Sequence, residues 1–71
     1  MSTPEPARPT LTDALERMVT AYEALDRIRA EERHAIDTRD EARLMAILER
    51  KLGRMRELET LRILRAVLRG A

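Results

Sequence analysis

The sequence predicts an all-α fold, an antiparallel helical hairpin built from two long helices. Between Leu11 and Leu68 there is no proline and one glycine, Gly53, so helix is allowed almost throughout. Charged residues make up 38% of the chain and aromatic residues 1%, a composition typical of long exposed helices. Residues 37–40 read Asp-Thr-Arg-Asp, and three of these four are weak helix formers, so we expect the chain to reverse there.

The first predicted helix runs from about residue 11 to about residue 37. Pro4, Pro6 and Pro9 disfavour helix, and residues 1–10 are therefore expected to form a flexible, proline-rich tail before the hairpin of residues 11–71. Thr10 or Thr12 offers an N-cap for the helix start, and Thr10 and Asp13 have the spacing of a capping box. The helix then carries an apolar stripe with spacings of four and three, formed by Leu11, Leu15, Met18, Tyr22 and Leu25.

The second predicted helix covers residues of about 39–69. Thr38 and Glu41 have capping-box spacing, so the sequence predicts a helix start at the turn itself. The apolar residues that share one face after the turn are expected to pack against the first helix. They are Leu44, Leu48, Leu52 and Met55.

The leucines near the C-terminus do not continue that face. Their mean direction lies roughly 140° away on a helical wheel of about 3.6 residues per turn. One neighbouring helix cannot cover both faces, so we expect this segment to bind a partner helix, with leucine anchors and an arginine rim. The predicted partner-binding residues are Leu58, Leu61, Arg62, Leu64, Arg65, Val67, Leu68 and Arg69.

This sequence lacks the residues that several kinds of site require. There is no cysteine, and the single histidine, His34, cannot form a zinc site alone. The acidic residues around the turn are typical of solvated charge on a helix, so we predict no metal, no cofactor and no catalytic group. No apolar run reaches membrane-spanning length and no signal-peptide core follows Met1, which favours a cytoplasmic protein.

The charge distribution favours antiparallel pairing of the two helices, because residues 11–37 carry seven acids and four bases and residues 38–71 carry five acids and nine bases.

Three alternatives stay open. Two hairpins could dimerise into a four-helix bundle, and without a turn the chain would be one helix of about 87 Å. A row of arginines could instead contact RNA, although Glu49 and Glu57 interrupt it; the row contains Arg39, Arg43, Arg50, Arg54, Arg65 and Arg69.

One pattern resembles the all-helical chorismate mutases. Arg33, Ile36 and Asp37 are followed by a leucine, an isoleucine, a second leucine and an arginine at the spacing of that family's first helix. The resemblance covers about 20 residues, Arg33 to Arg50, and implies that a single unbroken helix carries them. It makes a mutase-like enzyme the catalytic alternative.

A second pattern resembles the flagellar export chaperones of the FlgN/FliT kind. An acidic residue, an apolar position, a turn residue, a leucine and a lysine follow one another as Glu32, Ile36, Asp40, Leu44 and Lys51. The resemblance extends over residues 11–69 and implies a non-enzymatic bacterial chaperone of flagellar or type III secretion. Such a protein would hold an amphipathic helix of a secretion substrate with its C-terminal helix. It is the function that we expect first.

Overall fold

A computed structural model describes residues 10–70, which form two helices, α1 (Leu11–Asp37) and α2 (Glu41–Gly70). The helices pack against each other over most of their length, so the predicted antiparallel hairpin is confirmed. A single continuous helix is excluded, since the chain reverses between Asp37 and Glu41. The tail predicted for residues 1–10 lies outside the described residues except for Thr10, and Ala71 lies outside them as well.

The predicted capping box starts α1. The backbone N–H of Asp13 donates to Thr10 Oγ1, and the backbone N–H of Thr10 donates to Asp13 Oδ2, both at 3.1 Å. The two bonds satisfy donors that the first helical turn leaves unpaired. The bonds from Thr10 also lower the pKa of the Asp13 carboxyl, because they stabilise its ionised form.

The residue that caps α2 at the turn is not the predicted one. The hydroxyl of Thr38 donates to the carbonyl oxygen of His34 at 2.9 Å, so Thr38 closes α1 and does not begin α2. Asp40 takes that role, because its Oδ1 accepts the N–H of Arg43 at 3.0 Å. The second helix therefore begins at Glu41, two residues later than predicted.

The reversal itself depends on a left-handed residue. Arg39 has φ of 54°, and the N–H groups of Arg39 and Asp40 donate to the carbonyls of Ile36 and Ala35. This is the hydrogen-bond pattern of a Schellman motif, which glycine usually provides. An arginine in this conformation brings its Cβ close to the following carbonyl, which costs about 1–2 kcal/mol.

The core of the hairpin consists of two apolar clusters. The first brings Met18, Ala21 and Leu25 of α1 against Leu58 and Leu61 of α2, with Leu64 packed beside them. The second lies nearer the turn and is formed by Ile28, Ala35, Leu44 and Ile47. Small side chains at buried positions of α1, such as Ala21, allow the two helices to approach closely.

Charged side chains separate the two clusters. Lys51 Nζ lies 3.0 Å from Glu32 Oε2, and the two side chains are 29% and 21% exposed. Arg50 of α2 lies 2.9 Å from Glu31 of α1 on the surface beside them. The charged heads reach water while the stems cover apolar surface, so the seam is continuous although its middle is polar.

The predicted seam of α2 is wrong beyond Leu44. The side chains of Leu48, Leu52 and Met55 are exposed, and α2 instead packs through Leu44, Ile47, Leu58 and Leu61. The half-buried Lys51 and Arg54 complete this row at spacings of three and four. The prediction followed the unbroken apolar face, whereas the fold accepts two basic residues at the seam and so brings the C-terminal leucines into register with α1.

Candidate docking surface

Two rows of side chains with seven-residue spacing border the seam on the same side of the hairpin. Arg62 Nη2 lies 3.4 Å from the hydroxyl oxygen of Tyr22, to which it donates, and this contact joins the two rows across the hairpin. Of these nine residues five are apolar, three are arginine and one, Glu41, is acidic. The rows are Leu15, Tyr22, Arg29 and Ile36 in α1 and Glu41, Leu48, Met55, Arg62 and Arg69 in α2.

Large apolar side chains extend this side beyond the two rows. Leu11 and Val19 adjoin the α1 row, and Met45 and Leu52 adjoin the α2 row at helical spacings. All of these side chains are between 37% and 62% exposed. We call the following eight residues the apolar stripe: Leu11, Leu15, Val19, Tyr22, Met45, Leu48, Leu52 and Met55.

The apolar stripe runs diagonally across the hairpin. Its α1 half lies at the open end, where Tyr22 contacts Arg62 in the C-terminal half of α2. Its α2 half lies nearer the turn, where Lys51 contacts Glu32. A ligand that covers both halves must therefore pass from α1 at the open end to α2 near the turn.

Arginines flank the apolar stripe where it changes helix. Arg29 lies beside the α2 half and Arg62 beside the α1 half, and both guanidinium groups are exposed. The hydrogen bond to the Tyr22 hydroxyl raises the pKa of Arg62, and the carboxylate of Glu59 makes a smaller contribution. Asp26 lies 3.6 Å from Arg29, and this exposed pair is weak and screened by salt.

The opposite side of the hairpin is polar and largely paired. Arg50 contacts Glu31 at 2.9 Å, and Arg54 contacts Glu57 at 3.0 Å. The shallow groove there is lined by Ala24, Arg27, Ile28, Arg50, Gly53, Arg54 and Glu57. The two long sides of the hairpin therefore differ, since one exposes large apolar side chains and the other carries ion pairs.

The structure divides the residues predicted to bind a partner. Leu58 and Leu61 are 6% and 3% exposed and pack in the first core cluster, so the expectation that α1 leaves them uncovered is wrong. Leu64, Arg65 and Leu68 are half-buried. The exposed members are Arg62, Val67 and Arg69. A role of these exposed residues in binding stays a prediction, whereas Leu58 and Leu61 could meet a partner only if the hairpin opened.

The other sequence patterns are also placed by the structure. The segment that resembles the mutases is split between α1 and α2, so the unbroken helix implied by that resemblance is not present. In the arginine row, Arg50 and Arg54 contact acidic residues and Arg65 is half-buried. Within residues 10–70, no three acidic or histidine side chains converge as a metal site would require, and His34 is exposed.

Comparison of the chain with known protein families, with curated proteins and with solved structures gave no match. Neither α1 nor α2 has the run of apolar residues that a membrane-crossing helix needs.

Proposed function

We propose that this protein is a non-enzymatic helical interaction module that holds a helix of a partner protein against the apolar stripe. The observation that carries the proposal is the exposure of eight large apolar side chains on one side of a small hairpin. Scattered exposed apolar residues are normal on a soluble protein, but large apolar side chains grouped on one side with a polar rim are typical of an interaction site.

The binding mode that fits this surface is a helix laid along a groove. Tyr22 and Leu15 would contact one end of the bound helix, and Leu48, Leu52 and Met55 the other. Met55 is unbranched and polarisable, so it can adapt to the shape of the ligand. The core clusters lie behind the apolar stripe and keep the two helices in register, which gives the ligand a preformed surface.

The identity of the partner is proposed from the sequence pattern alone. The resemblance to flagellar export chaperones implies that the bound helix belongs to a secretion substrate and that this protein acts as its chaperone or adaptor. In that case the substrate would be released unchanged, and the protein would act by covering an apolar helix until delivery.

Capture of partners from an extract of the native cells tests the proposal. The wild-type protein is compared with the double variant Leu52→Gln/Met55→Gln, which makes the α2 half of the apolar stripe polar. The control is Ile63→Gln/Val67→Gln, which changes two equally exposed apolar residues of α2 outside the apolar stripe. Circular dichroism verifies that each variant keeps its helices.

We expect the wild type and the control to retain the same partner, and the Leu52/Met55 variant to lose it. The captured protein is then purified and its direct binding to the hairpin is measured. Loss of the partner in the control, with retention in the Leu52/Met55 variant, would contradict the proposed surface. It would favour the C-terminal segment around Val67, as the sequence alone predicts.

A further inference from the structure

We infer that the ligand of the apolar stripe is an acidic amphipathic helix of about 25 residues, which crosses the hairpin from α1 at its open end to α2 near the turn. This inference rests on the proposed function, and it adds the charge, the length and the direction of the bound helix.

The charge follows from the residues that border the apolar stripe. The two bordering rows carry three arginines, Arg29, Arg62 and Arg69, and one acid, Glu41, which lies beside Ile36 at the turn end. Arg33 adds a fourth exposed base one helical turn after Arg29. The other acids on this side are Asp26, Glu59 and Glu32, and Glu32 lies 3.0 Å from Lys51, so bases outnumber acids there. A helix with glutamate or aspartate beside its apolar face therefore meets more opposite than like charge, and a basic helix meets the reverse.

The length and direction follow from the diagonal course of the apolar stripe. The centres of its two halves are offset along the hairpin axis by about 23 Å, for a helical rise of about 1.5 Å per residue. Packed helices lie about 8–10 Å apart, so a straight helix over both halves crosses the hairpin axis at roughly 20°. Crossing angles near 20° allow the side-chain ridges of one helix to fit the grooves of another. The apolar stripe begins at Leu11, the first residue of α1, and reaches Met45 near the turn. The ligand therefore has to extend along the whole of α1, which has 27 residues, and needs a similar length.

A second copy of the chain fits this surface less well. In a symmetric face-to-face dimer both copies bring the same side, so the bordering rows would bring together six arginines and only two glutamates. Like charges brought together at an interface oppose association. Because the apolar stripe is diagonal, parts of it would also lie opposite arginines of the other copy.

Two synthetic peptides of about 25 residues test the inference. Both carry the same leucine face, and one has glutamate and the other lysine at the flanking positions. Binding to the full chain is measured by calorimetry or fluorescence anisotropy. The charge-reversal variant is Arg29→Glu/Arg62→Glu. The matched control, Arg27→Glu/Arg43→Glu, makes the same change of net charge at exposed positions away from the apolar stripe.

We expect the acidic peptide to bind the wild type and the control at least about tenfold more tightly than the basic peptide, since several surface charge pairs act together. The charge-reversal variant should prefer the basic peptide. The preference should vanish at about 1 M salt, where charges are screened within about 3 Å.

The contradicting results are distinct. Equal binding of both peptides, or a preference that the control variant also loses, overturns the inference about charge and leaves the proposed helix-binding function intact. Binding of neither peptide to a folded hairpin contradicts both. Sedimentation of the protein alone reveals the competing occupant: a dimer that Leu52→Gln/Met55→Gln dissociates would mean that a second copy covers the apolar stripe, and it would overturn the inference.

Discussion

Replacing Leu61 with alanine should destabilise the hairpin far more than the same replacement at Leu52. Leu61 is 3% exposed and packs in the first core cluster, whereas Leu52 is 48% exposed on the apolar stripe. The two leucines lie in the same helix, so helix propensity changes equally in both variants. The comparison therefore isolates which face of α2 packs against α1.

The expected magnitudes follow from burial. Removing a buried leucine side chain costs about 2–5 kcal/mol, and the lower part of that range applies because a two-helix seam lies close to water. We expect a loss of about 2–3 kcal/mol for Leu61→Ala. For Leu52→Ala the change should stay within about 0.5 kcal/mol, since little area leaves water on folding and alanine favours helix. A hairpin of this size has a total stability of about 3–9 kcal/mol, so the first loss is a large fraction.

Urea unfolding followed by circular dichroism measures both free energies. Thermal unfolding should give a decrease in melting temperature of roughly 10–20 °C for Leu61→Ala and only a few degrees for Leu52→Ala. Equal losses, or a greater loss at Leu52, would refute the assignment of Leu58 and Leu61 to the core. Such a result would mean that α2 packs against α1 through Leu48, Leu52 and Met55, as the sequence predicts.

Three further predictions concern the cap, the turn and the polar middle of the seam. Thr10→Ala should cost about 1 kcal/mol in urea unfolding, because it removes the cap of α1. The bonds from Thr10 lower the pKa of Asp13 below its ordinary 3.8, so their stabilisation is complete above that pH and is lost as the pH falls through the folded-state value. The stability difference between wild type and Asp13→Asn should accordingly shrink in acid; a constant difference would contradict this linkage. Arg39→Gly should raise the free energy of unfolding by up to about 1 kcal/mol, since glycine accepts the left-handed conformation without strain, and a loss of stability would show that the arginine is not strained. Lys51→Ala or Glu32→Ala alone should destabilise by about 1 kcal/mol, while Glu32→Leu with Lys51→Leu should be neutral or stabilising because it joins the two core clusters; urea unfolding of the three variants checks both signs.

The helices and their order follow from the sequence because those signals are local. The capping box at Thr10, the absence of proline after residue 9 and the weak helix formers at residues 37–40 act within a few residues of one another. Together they predict α1 to its exact bounds, Leu11–Asp37, and they place the reversal correctly. The predicted start of α2 is two residues too early, because Thr38 and Asp40 can both cap a helix and the left-handed Arg39 selects the later one.

The packing face of α2 does not follow from local signals. Leu48 and Leu52 look like core residues on a helical wheel, and Lys51 looks like surface. In the structure Lys51 lies at the seam, 3.0 Å from Glu32, and this contact joins residues far apart in sequence. Packing of α2 through this row buries Leu58 and Leu61 and leaves the apolar stripe exposed. The seven-residue recurrence of Leu15, Tyr22, Arg29 and Ile36 was the available signal for a second face.

Nuclear magnetic resonance of the isotope-labelled chain during titration with the acidic amphipathic peptide tests the location of the docking surface most directly. We predict that the resonances of the apolar stripe shift together, those of Tyr22, Leu48 and Met55 among them, while Ile63 and Val67 stay unchanged. Shifts concentrated at Ile63, Val67 and the C-terminal turns of α2, with the apolar stripe unaffected, would contradict the proposed site.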